Sequence, residues 1–123
     1  TFFADDAIAA TNATSSEMSH ITQSDKYANY LNQYYPSIII NKVYEDIYER
    51  VTTSSGGRYP DAKRTLLEKI NQGTLVLNFV GHGSTTGWTH ENTMLYPDFE
   101  ALANTKLPLW YIYFRRRSCF AEF

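Results

Sequence analysis

The chain has 123 residues, of which 43% are apolar and 20% charged, with a formal net charge of −2. That length buries one core, so one domain or part of one is expected, and the near-neutral balance gives no electrostatic reason to expect nucleic acid or an anionic membrane as partner. A single cysteine, Cys119, excludes an intrachain disulfide, and no apolar run reaches the roughly 18 residues of a membrane-spanning helix.

In chain order, Thr1–Ala4 reads as a short strand ending in Asp5-Asp6. With no initiator Met or leader before it, the chain is expected to be part of a larger domain. Thr14, Ser15 and Ser16 offer N-caps and Glu17 suits a first helical turn. Met18, Ile21, Ala28 and Leu31 then recur near helical spacing to about Tyr34, and Pro36 stops the helix. Ser37–Tyr44, containing Ile38-Ile39-Ile40, predicts a second strand. Thr52–Gly57 is by composition a flexible surface loop.

Pro60 suits the first position of a second helix with an apolar stripe of Ala62, Leu66, Leu67 and Ile70, closed by Gly73. The apolar run Thr74–Val80 predicts a strand buried on both faces of a parallel sheet. Pro97 opens a short third helix with Phe99 and Leu102 inward, and Leu107–Phe114 is the fourth strand. Strands alternating with helices predict an α/β fold with three layers and a mostly parallel sheet.

The chemistry concentrates after the third strand, in Gly81-His82-Gly83-Ser84-Thr85-Thr86-Gly87. A histidine between glycines at the end of a buried parallel strand stands where α/β proteins place reactive groups. The Gly83 and Ser84 amides are candidates for stabilising an oxyanion. Asp5 or Asp6 could accept the second imidazole proton and orient the ring; otherwise these acids cap the next turn. No Lys and no phosphate-loop spacing accompanies the glycines, which argues against a nucleotide cradle. The separation of His82 from His90-Glu91 is no metal-ligand spacing, and His20 is distant in sequence, so neither a metal nor a cofactor is expected. Trp88 and Trp110 read as packing residues. Cys119 follows Arg115-Arg116-Arg117, whose charges favour a thiolate, although a lone cysteine usually only packs.

The segments Phe2-Phe3-Ala4-Asp5-Asp6, Lys42-Val43-Tyr44 and Tyr59-Pro60 open a pattern that continues through Ile70–Ser84, Trp88, His90-Glu91 and Leu107-Pro108-Leu109-Trp110. In this order they resemble the gingipain-type cysteine peptidases, most closely the signal peptidase of the type IX secretion system of Bacteroidetes. The resemblance implies a caspase-like fold, here as a partial domain over residues 1–123. It implies a cysteine endopeptidase acting on polypeptide substrates, with His82 as the catalytic histidine. It also implies an exported protein, at the cell surface or outer membrane or extracellular, that could associate with outer-membrane secretion components. The family's spacing beyond Leu-Pro-Leu-Trp places the nucleophilic cysteine at Arg115. Cys119, four places later in a segment resembling a displaced version of the family's, is the candidate nucleophile. The alternative is a catalytically inactive module that retains the fold for binding or scaffolding.

Overall fold

The computed structural model describes residues 1–7 and 18–103, together with the backbone of 110–115. Three-residue strand β1 (Phe2–Ala4) leads to helix α1 (Met18–Tyr34), strand β2 (Lys42–Tyr44) and a 3-10 turn at Glu45–Ile47. Strands β3 (Val51–Thr53) and β4 (Gly56–Arg58) precede helix α2 (Pro60–Gly73) and strand β5 (Val76–Gly81). After β6 (Gly87–Trp88), β7 (Met94–Leu95) and α3 (Tyr96–Glu100) comes β8 (Trp110–Arg115). The proposed caps Thr14–Ser16 lie outside the described residues.

Four strands form one parallel sheet in the order β2-β1-β5-β8. The path steps from β1 to β2 in one direction, then returns past β1 to β5 and β8. Right-handed crossovers in opposite directions must place their helices on opposite faces, and the packing shows it. Phe3, Val43, Leu77 and Phe79 pack with Leu66 and Ile70 of α2. Phe2, Ala4 and Tyr44 pack with Ala28 of α1, bordered by Ile21 and Leu31. The period-2 alternation of each strand therefore supplies two cores. The result is the α/β sheet between helices that the element order predicts, consistent with a partial caspase-like domain.

α2 follows its expected stripe, with Ala62, Leu66 and Ile70 buried at four-residue spacing. It starts at Pro60 and ends at Gly73, whose φ of +109° suits glycine. α1 departs from expectation. Its buried line is His20, Ser24 and Ala28, while Met18 is exposed. The spacing rule held, but the line facing the sheet is partly polar.

Three strand readings need correction. Ile38 and Ile39 are exposed and the second strand begins only at Lys42, because the sheet offers β1 as a partner over just three residues. Thr52–Gly57 belongs to an antiparallel hairpin with Ser54-Ser55 at its turn. Its β-branched threonines oppose glycines, which composition alone read as loop. Finally, Leu75 and Val76 are exposed and burial starts at Leu77, so the apolar run overshoots the doubly covered part of the sheet. A second hairpin, β6–β7, was not foreseen.

Candidate active site

The chain reverses direction across the sheet between β1 and β5, whose outgoing connections leave towards opposite faces. In open α/β sheets the crevice beyond the carboxyl ends of such strands is where ligands bind. Asp5 and Asp6 follow β1 there, and His82 follows β5. Phe3 pairs with Phe79 and Ala4 with Val80, so the register carries the two strand ends to the same level. The Asp5 amide continues the ladder by donating to the Val80 carbonyl at 3.1 Å.

The two acids that were equivalent in sequence separate here. Asp5 Oδ2 lies 2.7 Å from His82 Nδ1 and also accepts the His82 backbone N–H at 2.8 Å. Its other oxygen, Oδ1, accepts the Asp6 amide at 3.1 Å. Asp6 turns elsewhere, its Oδ2 accepting the Tyr59 hydroxyl at 2.8 Å. Asp5 is 1% exposed and the His82 side chain 19%, so the carboxylate is sealed while the ring reaches the surface. With an ionised Asp5 as acceptor, the proton of a neutral ring resides on Nδ1 and Nε2 is left as the basic nitrogen.

Gly81 makes this contact possible. A Cβ there would collide with the Asp5 side chain and come within 2.8 Å of the Phe79 ring. After His82 the chain forms a narrow turn, the Thr89 amide donating to the His82 carbonyl and the Ser84 amide to the Gly87 carbonyl, both at 2.8 Å. The Ser84 amide is thus engaged, which removes half of the proposed amide pair. Among the described residues the Gly83 amide donates no hydrogen bond.

Two histidines that the sequence set aside join His82. His20, buried on α1, meets its ring edge-on with centroids 4.9 Å apart. His90 stacks on it at 4.4 Å. The distance in sequence between His20 and His82 hid this contact; the His20-Ser24-Ala28 spacing on α1 was the available signal. Trp88 is buried and stacks on Phe79 at 4.4 Å, as a packing residue should. Asp5, His20 and His82 each offer a ligand atom within 4.8 Å of the others.

Beside this group lie further carboxylates. Burial pushes the Asp6 carboxyl up to about 6 against the opposing pull of the Tyr59 hydrogen bond, with Glu91, Asp5 and Asp46 adding their repulsion. Burial, and then the Asp5 charge, holds Glu45 well above the usual carboxylate range. Glu45 accepts from the Thr93 hydroxyl and from the Asp6 amide, the latter at 3.3 Å.

Parallel pairing of β5 with β8 sets Gly81 opposite Arg115, so position 115 adjoins the strand end that carries His82. Cys119 lies outside the described residues. Comparison with curated proteins and with solved structures returns no match. The model of peptidase family C25 matches residues 1–114. With nine tenths of its length matched and the α/β architecture above, this chain belongs to peptidase family C25, the gingipain family of cysteine peptidases.

Proposed function

We propose that the chain is the working part of an exported cysteine endopeptidase, with His82 as acid–base group, Asp5 orienting it and Cys119 as nucleophile. The observation that carries this reading is the 2.7 Å Asp5–His82 contact at the sheet's switch point. A buried carboxylate on Nδ1 holds the ring in the tautomer whose Nε2 takes a proton. In the reaction, Nε2 accepts the Cys119 thiol proton as sulfur bonds to the scissile carbonyl carbon. The Gly83 amide donates to the resulting oxyanion. Collapse breaks the C–N bond, and His82 returns the proton to the leaving amine. Water, deprotonated by Nε2, then cleaves the thioester to a carboxylic acid and the restored thiol.

The substrate class follows from the family: a polypeptide. The finer reading, processing of secreted cargo alongside type IX outer-membrane components, rests on the Asn78–Ser84 block with its following Trp88. A second reading, an inactive binding or scaffolding module, is favoured by one observation. Arg115 stands opposite Gly81, where the family's spacing would put a cysteine, and the family match ends at residue 114.

Iodoacetamide labelling of the cysteine against pH separates the two. A thiolate paired with His82 reacts well below the ~8.5 of an ordinary thiol, and His82→Ala removes the excess. A curve centred near ~8.5 and indifferent to His82→Ala establishes the inactive module instead.

A further inference from the structure

We propose that Asp5, His20 and His82 form a binding site for a transition-metal ion of the zinc class, which reversibly takes the His82 ring out of use. They arrive from three places: the end of β1, the first turn of α1, and the turn after β5. One donor atom from each lies within 4.8 Å of the other two, with Asp5 and His20 buried and His82 partly exposed. Two imidazole nitrogens with one carboxylate oxygen form a donor set that takes Zn2+, Ni2+ or Cu2+ ahead of Ca2+ or Mg2+. Three protein ligands leave the fourth tetrahedral position to water. The His82 side chain, 19% exposed, gives the ion its way in.

The geometry asks for little movement. Donors about 2.0–2.1 Å from a tetrahedral zinc ion stand roughly 3.4 Å apart. Rotation of the two imidazoles about their side-chain bonds closes the set around Asp5, which is already held in place. Its Oδ2 accepts the His82 amide at 2.8 Å and its Oδ1 the Asp6 amide at 3.1 Å, the kind of support that orients a metal-bound carboxylate. The His20 ring stands at 85° to His82, so an edge of one faces the other. His90 stacks on His82 at 30° and is not one of the three donors.

Charge points the same way. Asp6, Glu45 and Glu91, from the end of β1, the 3-10 turn after β2 and the β6–β7 connection, gather around Asp5, all four buried. Among the described residues, the cations bonded to these carboxylates are Arg50, at 3.3 Å from Glu91 Oε1, and the His82 ring when protonated. A dication on Asp5 offsets repulsion that burial leaves strong. Once bound, the ion silences the ring. A ring holding metal through Nε2 has no base to offer, and one holding it through Nδ1 carries its remaining proton on Nε2. Such a ring takes no proton from a nucleophile. That consequence rests on His82 being the acid–base group proposed above; the site itself does not.

The test is Zn2+ titration of the unmodified chain after chelator treatment and in excess Mg2+, read by calorimetry and by thermal unfolding. Both readouts are independent of peptidase activity, so a failure here leaves the peptidase reading standing. One Zn2+ per chain is expected, and Co2+ in its place should show the visible absorption of a four-coordinate complex. At about a hundred times Kd the unfolding midpoint should rise by roughly 5–15 °C. His20→Gln should weaken Zn2+ binding at least about tenfold, and Asp5→Asn likewise if the first variant does not fold. His90→Gln should leave it unchanged. No heat and no midpoint shift up to about 100 μM Zn2+ would overturn the proposal. Unaltered binding in His20→Gln, or lost binding in His90→Gln, would overturn it equally.

Discussion

Gly81 illustrates how little room the reactive corner has. Its hydrogen faces the Asp5 side chain, and no methyl fits between that group and the Phe79 ring. Gly81→Ala should therefore displace Asp5 and cost about 1–3 kcal/mol, the range of overpacking in a filled interior. Urea unfolding should show this as a lower midpoint at unchanged slope; a midpoint equal to wild type would show that Asp5 yields without strain. At this scale the sequence was informative where the backbone itself dictates chemistry. A histidine between glycines after an apolar run named His82, and Asp5-Asp6 named the pair from which its partner came. Choosing Asp5 over Asp6 required knowing that Tyr59, 53 positions beyond Asp6, claims the second acid. Glu45 carried no local mark of its place beside the site, and His20 only its helical spacing with Ser24 and Ala28.

Elements were legible in proportion to how far they follow their own periodicity. α2, with a clean apolar stripe between Pro60 and Gly73, is as expected. α1 is not amphipathic in the same plain way, and its attachment depends partly on polar contacts at its edge. Lys42 Nζ on β2 lies 2.6 Å from Asp25 Oδ1 and 2.7 Å from Asn29 Oδ1 on α1. The Lys42 bond, ahead of a smaller opposing effect of burial, holds the Asp25 carboxyl below its ordinary value of 3.8. A lowered folded value means stability present above the ordinary value and lost as pH falls through the lowered one. Both side chains are about a third or more exposed, so solvent screens the pair and its worth stays below about 1 kcal/mol. Lys42→Met should thus be slightly less stable than wild type at neutral pH. The difference should shrink in high salt and disappear as pH falls from the ordinary value of 3.8 through the lowered Asp25 value. A difference that persists in acid would assign the loss to packing of the lysine stem instead.

For the whole molecule, one face of the sheet centres on Phe79, which clusters with Phe3 at 5.2 Å and Trp88 at 4.4 Å, those two rings themselves 6.2 Å apart. Trp88 in turn meets Phe99 of α3 edge-on at 4.9 Å. Phe79→Ala should cost about 3–5 kcal/mol, a large share of the ~5–15 kcal/mol that holds a domain together. Equilibrium unfolding should place it far below wild type; a loss under about 1 kcal/mol would mean that this face is not a core. The sequence by itself determined the alternation of strands and helices, hence the parallel sheet between helices, and it located the reactive turn at the end of β5. These are properties of short windows, where periodicity, proline and glycine act on neighbours a few residues away. Tertiary structure alone decided the strand order that sets β1 beside β5, and with it the pairing of Asp5 with His82. It also decided the gathering of His20 and His90 around that ring, and of four carboxylates from three separate segments. Those contacts depend on which strands become neighbours and on how their ends align, and residues forty or eighty positions apart leave no local pattern that records it.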